Sequence, residues 1–173
     1  MRALRIALVF LLASAGLTAT SQTAQATDAA AVGSAVDFSL RNLDGQQVSL
    51  SSFRGKVVLV NFWATWCGPC QVEMPHLQKI YTELGPQGVV ILGISADDPK
   101  LDAAVKPLVK SKGLTYPILR DPDTRVVSQF NPSKTLPFNV LVGKDGKIAA
   151  VHAGYNPGDE VALRAELLGL LAK

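Results

Sequence analysis

The strongest constraint on the fold is an apolar strand that leads directly into a helix carrying both cysteines of the chain. Residues 56–63 form a dense run of β-branched and apolar residues, which is typical of a strand buried on both faces in a parallel sheet. After a short connection the sequence predicts a helix over residues 67–84, with Pro69 tolerated in its first turn and Pro75 producing a kink. Residues 89–94 predict a second buried strand, and this order of elements gives a right-handed βαβ unit.

Shorter elements are predicted around this unit. An Asp-Gly turn between two short runs indicates an N-terminal hairpin, and a similar pattern indicates a second hairpin towards the end of the chain. The predicted segments are a hairpin of 36–40 and 47–50, a helix over 99–112 capped by Asp97 or Asp98, a strand over 116–119, a helix over 124–130, a hairpin of 138–142 and 148–151, and a helix over 158–170 with apolar Val161, Leu163, Leu167, Leu168 and Leu170. The sequence therefore predicts one α/β domain over residues 36–173.

The N-terminal segment has the pattern of a secretory signal peptide. Arg2 and Arg5 precede an apolar run over residues 6–17, and small residues ending in an Ala-x-Ala site follow it. The apolar run is shorter than the ~20 residues of a membrane-spanning helix. We therefore expect residues 1–26 to be cleaved, with an uncleaved N-terminal anchor as the alternative, and residues 27–35 to form a flexible lead.

Export has two consequences for function. Cleavage removes two arginines and no acid, so the formal charge falls from +3 to +1, which leaves no electrostatic footprint for binding nucleic acid. Export also places the protein in a compartment where disulfides can form and persist.

The two cysteines are spaced for redox chemistry rather than for a structural staple. A disulfide between Cys67 and Cys70 closes a loop too short to constrain the unfolded chain much. Helix positions three apart have Cβ atoms about 5–6 Å apart, so a local disulfide needs little backbone movement. Cys67 lies at the predicted helix N-terminus, where free N–H groups stabilise a thiolate, whereas Cys70 lies one turn inside. We therefore expect Cys67 to attack a disulfide and Cys70 to resolve the product.

Two neighbours of the cysteine pair have both a functional and a structural interpretation. Glu73 lies three residues after Cys70, where a carboxylate could accept or donate the proton of that thiol. Burial would raise the pKa of Glu73 towards neutrality, as this role requires; the alternative is a solvated glutamate on an exposed helix face. Trp66 is expected to present a flat apolar surface to partners, with plain packing as the alternative.

Metal binding and peroxidase chemistry are the competing functions. The two cysteines with His76 and His152 have the right count for a zinc site, but the Gly-Pro dipeptide between the cysteines favours redox chemistry. A copper relay stays an alternative, although the chain has only two methionines. Thr65 precedes Cys67 by two positions rather than the three of a peroxiredoxin-like pattern, which argues against a peroxidase.

In combination, these motifs resemble the thioredoxin superfamily, and specifically the exported TlpA/ResA/CcmG-like thiol-disulfide oxidoreductases. The similarity covers about residues 34–170. It implies a thioredoxin fold with an N-terminal β-hairpin and a central insertion, the latter over residues 96–136. The residues that carry it are FWATWCGPC at 62–70, Glu73-Met74-Pro75, Leu136-Pro137, and the strand, turn and strand of 140–148.

The resemblance implies a role for each matching residue. Cys67 corresponds to the nucleophile and Cys70 to the resolving cysteine, and Glu73 matches the buried glutamate of ResA-like members. Pro137 matches the cis-proline that faces the cysteine pair. Leu136 would then offer its backbone groups to a bound substrate strand.

The substrate-facing surface and two departures from the family pattern complete the predicted site. Trp66, Gly68 and Pro69 are expected to bind substrate beside the disulfide. Asn61 stands where thioredoxin has a buried aspartate, which fits the exported subgroup because the glutamate can take over its proton role. Phe138-Asn139 replaces the small Thr/Ser pair common after the cis-proline, a difference that bears on partner specificity.

The family implies a monomeric periplasmic enzyme that reduces substrate disulfides without a cofactor. A membrane electron donor of the DsbD/CcdA type would re-reduce it, and apocytochrome c thiols are plausible clients. The chain is not itself a c-type cytochrome, because Gln71 rather than histidine follows Cys70. Its Gly-Pro dipeptide is that of thioredoxin, with a potential of about −270 mV against about −120 mV for DsbA. This favours reduction, while the direction of electron flow stays open at this point.

Overall fold

The computed structural model describes Gly33 and residues 35–173. The predicted signal peptide, residues 1–26, and most of the predicted lead over 27–35 lie outside the described residues. At the end of that lead, Ala35 is buried and its N–H donates to the carbonyl of Gly146 at 2.9 Å. Within the described part of the chain, no helix is long and apolar enough to cross a membrane.

The described residues form an α/β domain of seven strands and four α-helices. Short 3-10 turns follow the second strand and the first helix. The elements in chain order are β1 (Ser39–Asn42), β2 (Gln47–Ser49), β3 (Val57–Trp63), α1 (Gly68–Leu84), β4 (Val89–Ser95), α2 (Asp102–Ser111), β5 (Ile118–Arg120), α3 (Arg125–Phe130), β6 (Phe138–Val142), β7 (Ile148–Ala153) and α4 (Asp159–Leu171). This succession of strands and helices is the one predicted from the sequence.

All seven strands belong to one sheet, in the order β2-β1-β5-β4-β3-β6-β7. β4 is the central strand of this order, and β3 lies beside it, parallel to β4 and antiparallel to β6. Every residue of β3 and β4 is buried, because apolar clusters cover both faces of the sheet. One cluster packs beneath α1 and α4 and includes Trp63, Leu77 and Leu167; the other includes Phe62 and Leu92.

The N-terminal hairpin and the central insertion extend the sheet on the same side. β1 pairs antiparallel with β2 and with β5, so the hairpin covers the edge that β5 would otherwise expose. The insertion predicted over residues 96–136 contains α2, β5 and α3. The strands of both features, β1, β2 and β5, lie on the β4 side of β3 in the sheet, whereas the end of α3 borders a cleft beside β7.

Two details of the helix predicted over 99–112 are wrong. α2 begins at Asp102 rather than at residue 99, and its N-cap is Leu101. Asp98 instead accepts from the backbone N–H of Lys100 at 2.7 Å and closes a turn before the helix. In α4, Leu163 and Leu167 are buried, whereas the apolar Val161 is 69% exposed, because it lies two residues before Leu163 in the helix and therefore on nearly the opposite face.

Candidate active site

The cysteine pair lies at the junction between the end of β3 and the start of α1. Cys67 and Cys70 are joined in a disulfide with their Cα atoms 5.3 Å apart. Cys67 is the N-cap of α1, and its Sγ accepts from the backbone N–H of Cys70 at 3.2 Å. Cys67 is 5% exposed and Cys70 is fully buried. The two cysteines therefore differ in position, because Cys67 caps the helix and is slightly exposed, whereas Cys70 lies within its first turn and is not exposed.

Glu73 lies one turn further along α1 and is only 2% exposed. The alternative of a solvated glutamate on an open helix face is therefore wrong. Its two carboxylate oxygens each accept one hydrogen bond from a carboxamide. Asn61 Nδ2 donates to Oε2 at 3.0 Å, and Asn139 Nδ2 donates to Oε1 at 2.6 Å.

This environment raises the pKa of Glu73 from 4.5 to about 7. The main cause is burial, which removes water from the charged form. The hydrogen bonds from Asn139 and Asn61 act in the opposite direction and keep the pKa from rising further. A carboxyl group that titrates near neutral pH can both accept and donate a proton under physiological conditions.

Asn139 is the site residue whose role the sequence reasoning missed. The sequence indicated only that Phe138-Asn139 departs from a family pattern. In the structure Asn139 pairs with Asn61 across β3 and β6, and the Asn61 amide donates to Asn139 Oδ1 at 2.9 Å. A polar amide inside each of two strongly apolar strands was the available signal, because a buried amide needs a partner.

A cleft of about 780 Å³ borders Glu73 and leads away from the disulfide between β7, α4 and the end of α3. Its polar lining includes Asn139, His152, Tyr155 and Asp159. The Tyr155 hydroxyl donates to Glu160 at 2.7 Å. Glu73 thus has a polar border on one side and the apolar core on the other.

The predicted substrate-facing residues surround the surface end of the disulfide. Trp66 is 64% exposed, and Gly68 and Pro69 are also exposed. The Leu136–Pro137 peptide bond is cis. Because Phe138, the next residue, pairs with Phe62 of β3, Pro137 lies at the sheet end from which β3 continues to the cysteines.

Leu136 and Pro137 differ in their backbone bonding. The carbonyl of Pro137 accepts from Gly154 N–H at 2.8 Å. Among the hydrogen bonds of the described residues, none involves the backbone N–H or carbonyl of Leu136. These two groups are therefore available to a bound segment, as the family resemblance implies.

The histidines of the weighed zinc site each lie beside a carboxylate of α4. His76 is 3.4 Å from Glu160, and His152 Nε2 is 2.9 Å from Glu166. In the described part of the chain, no group of three or more His, Cys, Asp or Glu side chains is placed to hold a metal ion.

Comparison with known proteins identifies the family. The AhpC/TSA family model matches residues 32–151. Thiol-disulfide oxidoreductase ResA of Geobacillus thermodenitrificans is 36% identical over 93% of this chain and 91% of its own length. ResA of Halalkalibacterium halodurans is 39% identical over 69% of this chain and 66% of its own length.

A solved structure gives the same result at the level of the fold. The crystal structure of a Chlorobium tepidum protein superposes on this chain with a TM-score of 0.73 at 28% sequence identity. That protein is described as a thiol:disulfide interchange protein, DsbE. The superposition covers 80% of this chain and 95% of that one. Together with the Cys67–Cys70 disulfide, these similarities confirm the expected thioredoxin-like fold. The chain belongs to the AhpC/TSA family and is a thiol-disulfide oxidoreductase.

Proposed function

We propose that the protein is an exported disulfide reductase in which Cys67 attacks, Cys70 resolves and Glu73 carries the proton. The observation that supports this division most strongly is the difference between the two cysteines: Cys67 is the N-cap of α1 and is 5% exposed, whereas Cys70 lies inside the helix and is fully buried. Glu73, which is 2% exposed, lies one turn beyond Cys70 in the same helix and has a pKa of about 7.

In the first step the Cys67 thiolate attacks a substrate disulfide. A sulfur–sulfur bond forms between Cys67 and the substrate, and the other substrate sulfur leaves as a thiolate that takes a proton. Cys67 suits this step because it is the N-cap of α1, where free N–H groups and the helix dipole stabilise a thiolate. Exposed Trp66 beside it provides an apolar surface for the client.

In the second step Cys70 resolves the mixed disulfide. Cys70 loses its proton to the Glu73 carboxylate and attacks Cys67 Sγ, which releases the second substrate sulfur as a thiolate. The substrate gains two electrons, and the protein is left with the Cys67–Cys70 disulfide. Because Cys70 is fully buried, an internal acceptor serves it better than bulk water, and the cleft beside Glu73 offers a route for the proton to leave.

The proposed cellular setting follows from the predicted signal peptide and the family resemblance. The mature protein acts as a monomer in the periplasm, and a membrane donor of the DsbD/CcdA type re-reduces it. Apocytochrome c haem-binding thiols are the proposed clients. A reducing direction is supported by the Gly68-Pro69 dipeptide, which thioredoxin shares.

Trapping of mixed disulfides tests the division between the two cysteines. In the variant Cys70→Ser, the first step proceeds and the second cannot, so client proteins should accumulate covalently attached to Cys67 in the periplasm. The matched control is Cys67→Ser, which keeps the buried thiol and should trap nothing. Trapping by Cys67→Ser instead, or by neither variant, would contradict the assignment.

The midpoint potential of the Cys67–Cys70 couple tests the direction of electron flow. Equilibration with glutathione should give a value near that of thioredoxin, about −270 mV. A value near that of DsbA, about −120 mV, would reverse the proposed direction and make the protein an oxidant.

A further inference from the structure

A buried carboxylate outside the cysteine helix binds the loop that carries the attacking sulfur. Asp97 follows the end of β4 and is 3% exposed. Its Oδ1 accepts from the Thr65 hydroxyl at 2.7 Å, and both of its oxygens lie 3.0 Å from the Thr65 backbone nitrogen. Thr65 is two residues before Cys67, so Asp97 binds the connection between β3 and α1.

Two further side chains support this contact. Ser95, also buried, donates its hydroxyl to Asp97 Oδ2 at 2.8 Å and so orients the carboxylate. From the opposite side, Gln71 Nε2 donates to the Thr65 carbonyl at 2.7 Å. Thr65 is therefore bound through its N–H and hydroxyl by Asp97, which follows β4, and through its carbonyl by Gln71 of α1.

The topology explains why a residue after β4 reaches this loop. β3 and β4 are parallel, and Trp63 pairs with Ser95 at their shared carboxyl end. Thr65 and Asp97 each lie two residues beyond that pair. The sequence had suggested Asp97 as a helix cap, but α2 begins at Asp102 and takes no side-chain cap. The hydrogen bonds of Asp97 go to Thr65 and Ser95 instead.

We propose that Asp97 is a positioning residue for the redox reaction, holding the Thr65–Cys67 loop so that Cys67 stays at the head of α1 when the disulfide is open. In the oxidised protein the bond to Cys70 is a covalent constraint on Cys67. In the reduced protein that bond is absent, and the hydrogen bonds to Thr65 then act together with the backbone bond from Cys67 N–H to the Ala64 carbonyl, 3.1 Å, to hold the loop. The inference rests on the proposed role of Cys67 as the attacking thiol.

The substitution Asp97→Ala removes the hydrogen-bond acceptors of the loop and should act mainly on the reduced state. Mixed-disulfide formation with glutathione disulfide, measured in a Cys70→Ser background, should slow by about tenfold or more, because small misplacements of a reacting group are costly. In the protein with both cysteines, the equilibrium constant for reduction of the Cys67–Cys70 disulfide by glutathione should fall by about tenfold. This corresponds to a midpoint potential about 30 mV more negative.

Two matched variants separate anchoring from charge. Asp97→Asn removes the charge but keeps an oxygen for the Thr65 N–H and hydroxyl and an amide that can donate to Ser95, so it should stay within about threefold of the parent rate. Asp98→Ala removes the neighbouring exposed carboxylate, which binds Lys100 and Leu101 rather than the loop, and should match the parent. Circular dichroism establishes that each variant is folded.

The outcomes are distinct. A parent that does not react with glutathione disulfide overturns the proposed role of Cys67 and this inference with it. If the parent reacts and Asp97→Ala has the same rate and potential, only the positioning role of Asp97 fails. An equally large loss of rate in Asp97→Asn and Asp97→Ala would also overturn the proposal, because the loss of the negative charge alone would then explain the effect. Should Asp97→Ala not fold, Thr65→Val removes the 2.7 Å bond alone and should give a smaller loss in the same direction; an unchanged rate overturns the proposal.

Discussion

The ionisation of Glu73 should make the stability of the folded protein depend on pH in an unusual direction. The pKa of Glu73 is about 7 in the folded protein, against an ordinary value of 4.5. At 1.36 kcal/mol for each unit of pKa, burial disfavours the charged form by about 3 kcal/mol after the two amide hydrogen bonds have acted. The free energy of unfolding is therefore lower at any pH at which Glu73 has to be ionised in the folded protein.

The sign follows from counting protons in each state. Between pH 4.5 and 7 the unfolded chain has released this proton while the folded protein still holds it. The folded state therefore binds more protons, and the free energy of unfolding falls as pH rises through this range and levels off above it. From pH 5 to pH 8, Glu73 alone should remove about 2–3 kcal/mol of stability.

The substitution Glu73→Gln should abolish this dependence, since a glutamine stays neutral. Urea unfolding of the oxidised protein is the suitable assay, because disulfide-bonded cysteines do not titrate. The difference in free energy of unfolding, variant minus wild type, should rise by about 2–3 kcal/mol between pH 5 and pH 8. Glutamine has one side-chain oxygen in place of the two that accept from Asn61 and Asn139, so the substitution also destabilises the folded protein by an amount that does not depend on pH. This amount changes the free energy of unfolding of the variant equally at every pH, and the predicted rise is unaffected.

A control on the same helix makes the result specific. Glu83 is an exposed carboxylate of α1 whose pKa is lowered by its hydrogen bond to Arg164, so Glu83→Gln should not reproduce the rise. Parallel stability curves for wild type and Glu73→Gln between pH 5 and pH 8 would refute the reasoning. They would mean that Glu73 ionises in the folded protein as easily as in water.

Two further predictions concern residues around this centre. Asn139→Leu removes the 2.6 Å hydrogen bond to Glu73 and should raise the pKa of Glu73 above 7, as followed by a carbon-13 NMR titration of its carboxyl group; a lowered or unchanged pKa would contradict the role given to the amide. Gly93→Ala places a Cβ 2.8 Å from Ile118 Cδ1 and 2.9 Å from Tyr116 Cε2 and should lower the free energy of unfolding by about 1–3 kcal/mol through overpacking. Gly169→Ala, which meets nothing within 4 Å, is the matched control in the same urea assay and should stabilise the helix by about 0.5–1 kcal/mol.

The central βαβ unit could be predicted from the sequence because its signal is local. A strand buried on both faces needs apolar residues at every position, and residues 56–63 satisfy this without any knowledge of their neighbours. The structure places β3 at Val57–Trp63 and buries all of it. The cysteine pair was predictable for the same reason, since the strand, the two cysteines and the helix follow one another directly in the sequence.

Features that depend on distant contacts could not be predicted in this way. Asp97 had the sequence context of a helix cap, yet it binds Thr65, which is 32 positions away. The Asp97 side chain reaches the loop that follows β3 because β3 and β4 are parallel and end at the same edge of the sheet.

The partners of Glu73 show the same limit at the active site. Glu73 and Asn139 are 66 positions apart and meet only because β6 pairs with β3. The register places Asn139 opposite Asn61, so both amides point at the carboxylate from neighbouring strands. The sequence shows a glutamate of suitable spacing and two isolated amides, and the antiparallel pairing makes them one unit.

Burial and amide hydrogen bonds together set Glu73 to a pKa that suits its proposed partner. A thiol has an ordinary pKa of about 8.5, so a carboxylate of ordinary pKa is a base too weak by about four pKa units to take its proton efficiently. With the pKa of Glu73 at about 7, that gap narrows to about 1.5. Burial without the amides of Asn61 and Asn139 would raise the pKa of Glu73 further, so a smaller fraction of the carboxyl group would be ionised at neutral pH and able to accept a proton. In the proposed mechanism the two asparagines therefore favour the basic form of Glu73, and the buried position of Cys70 is the reason that its proton acceptor is placed inside the protein.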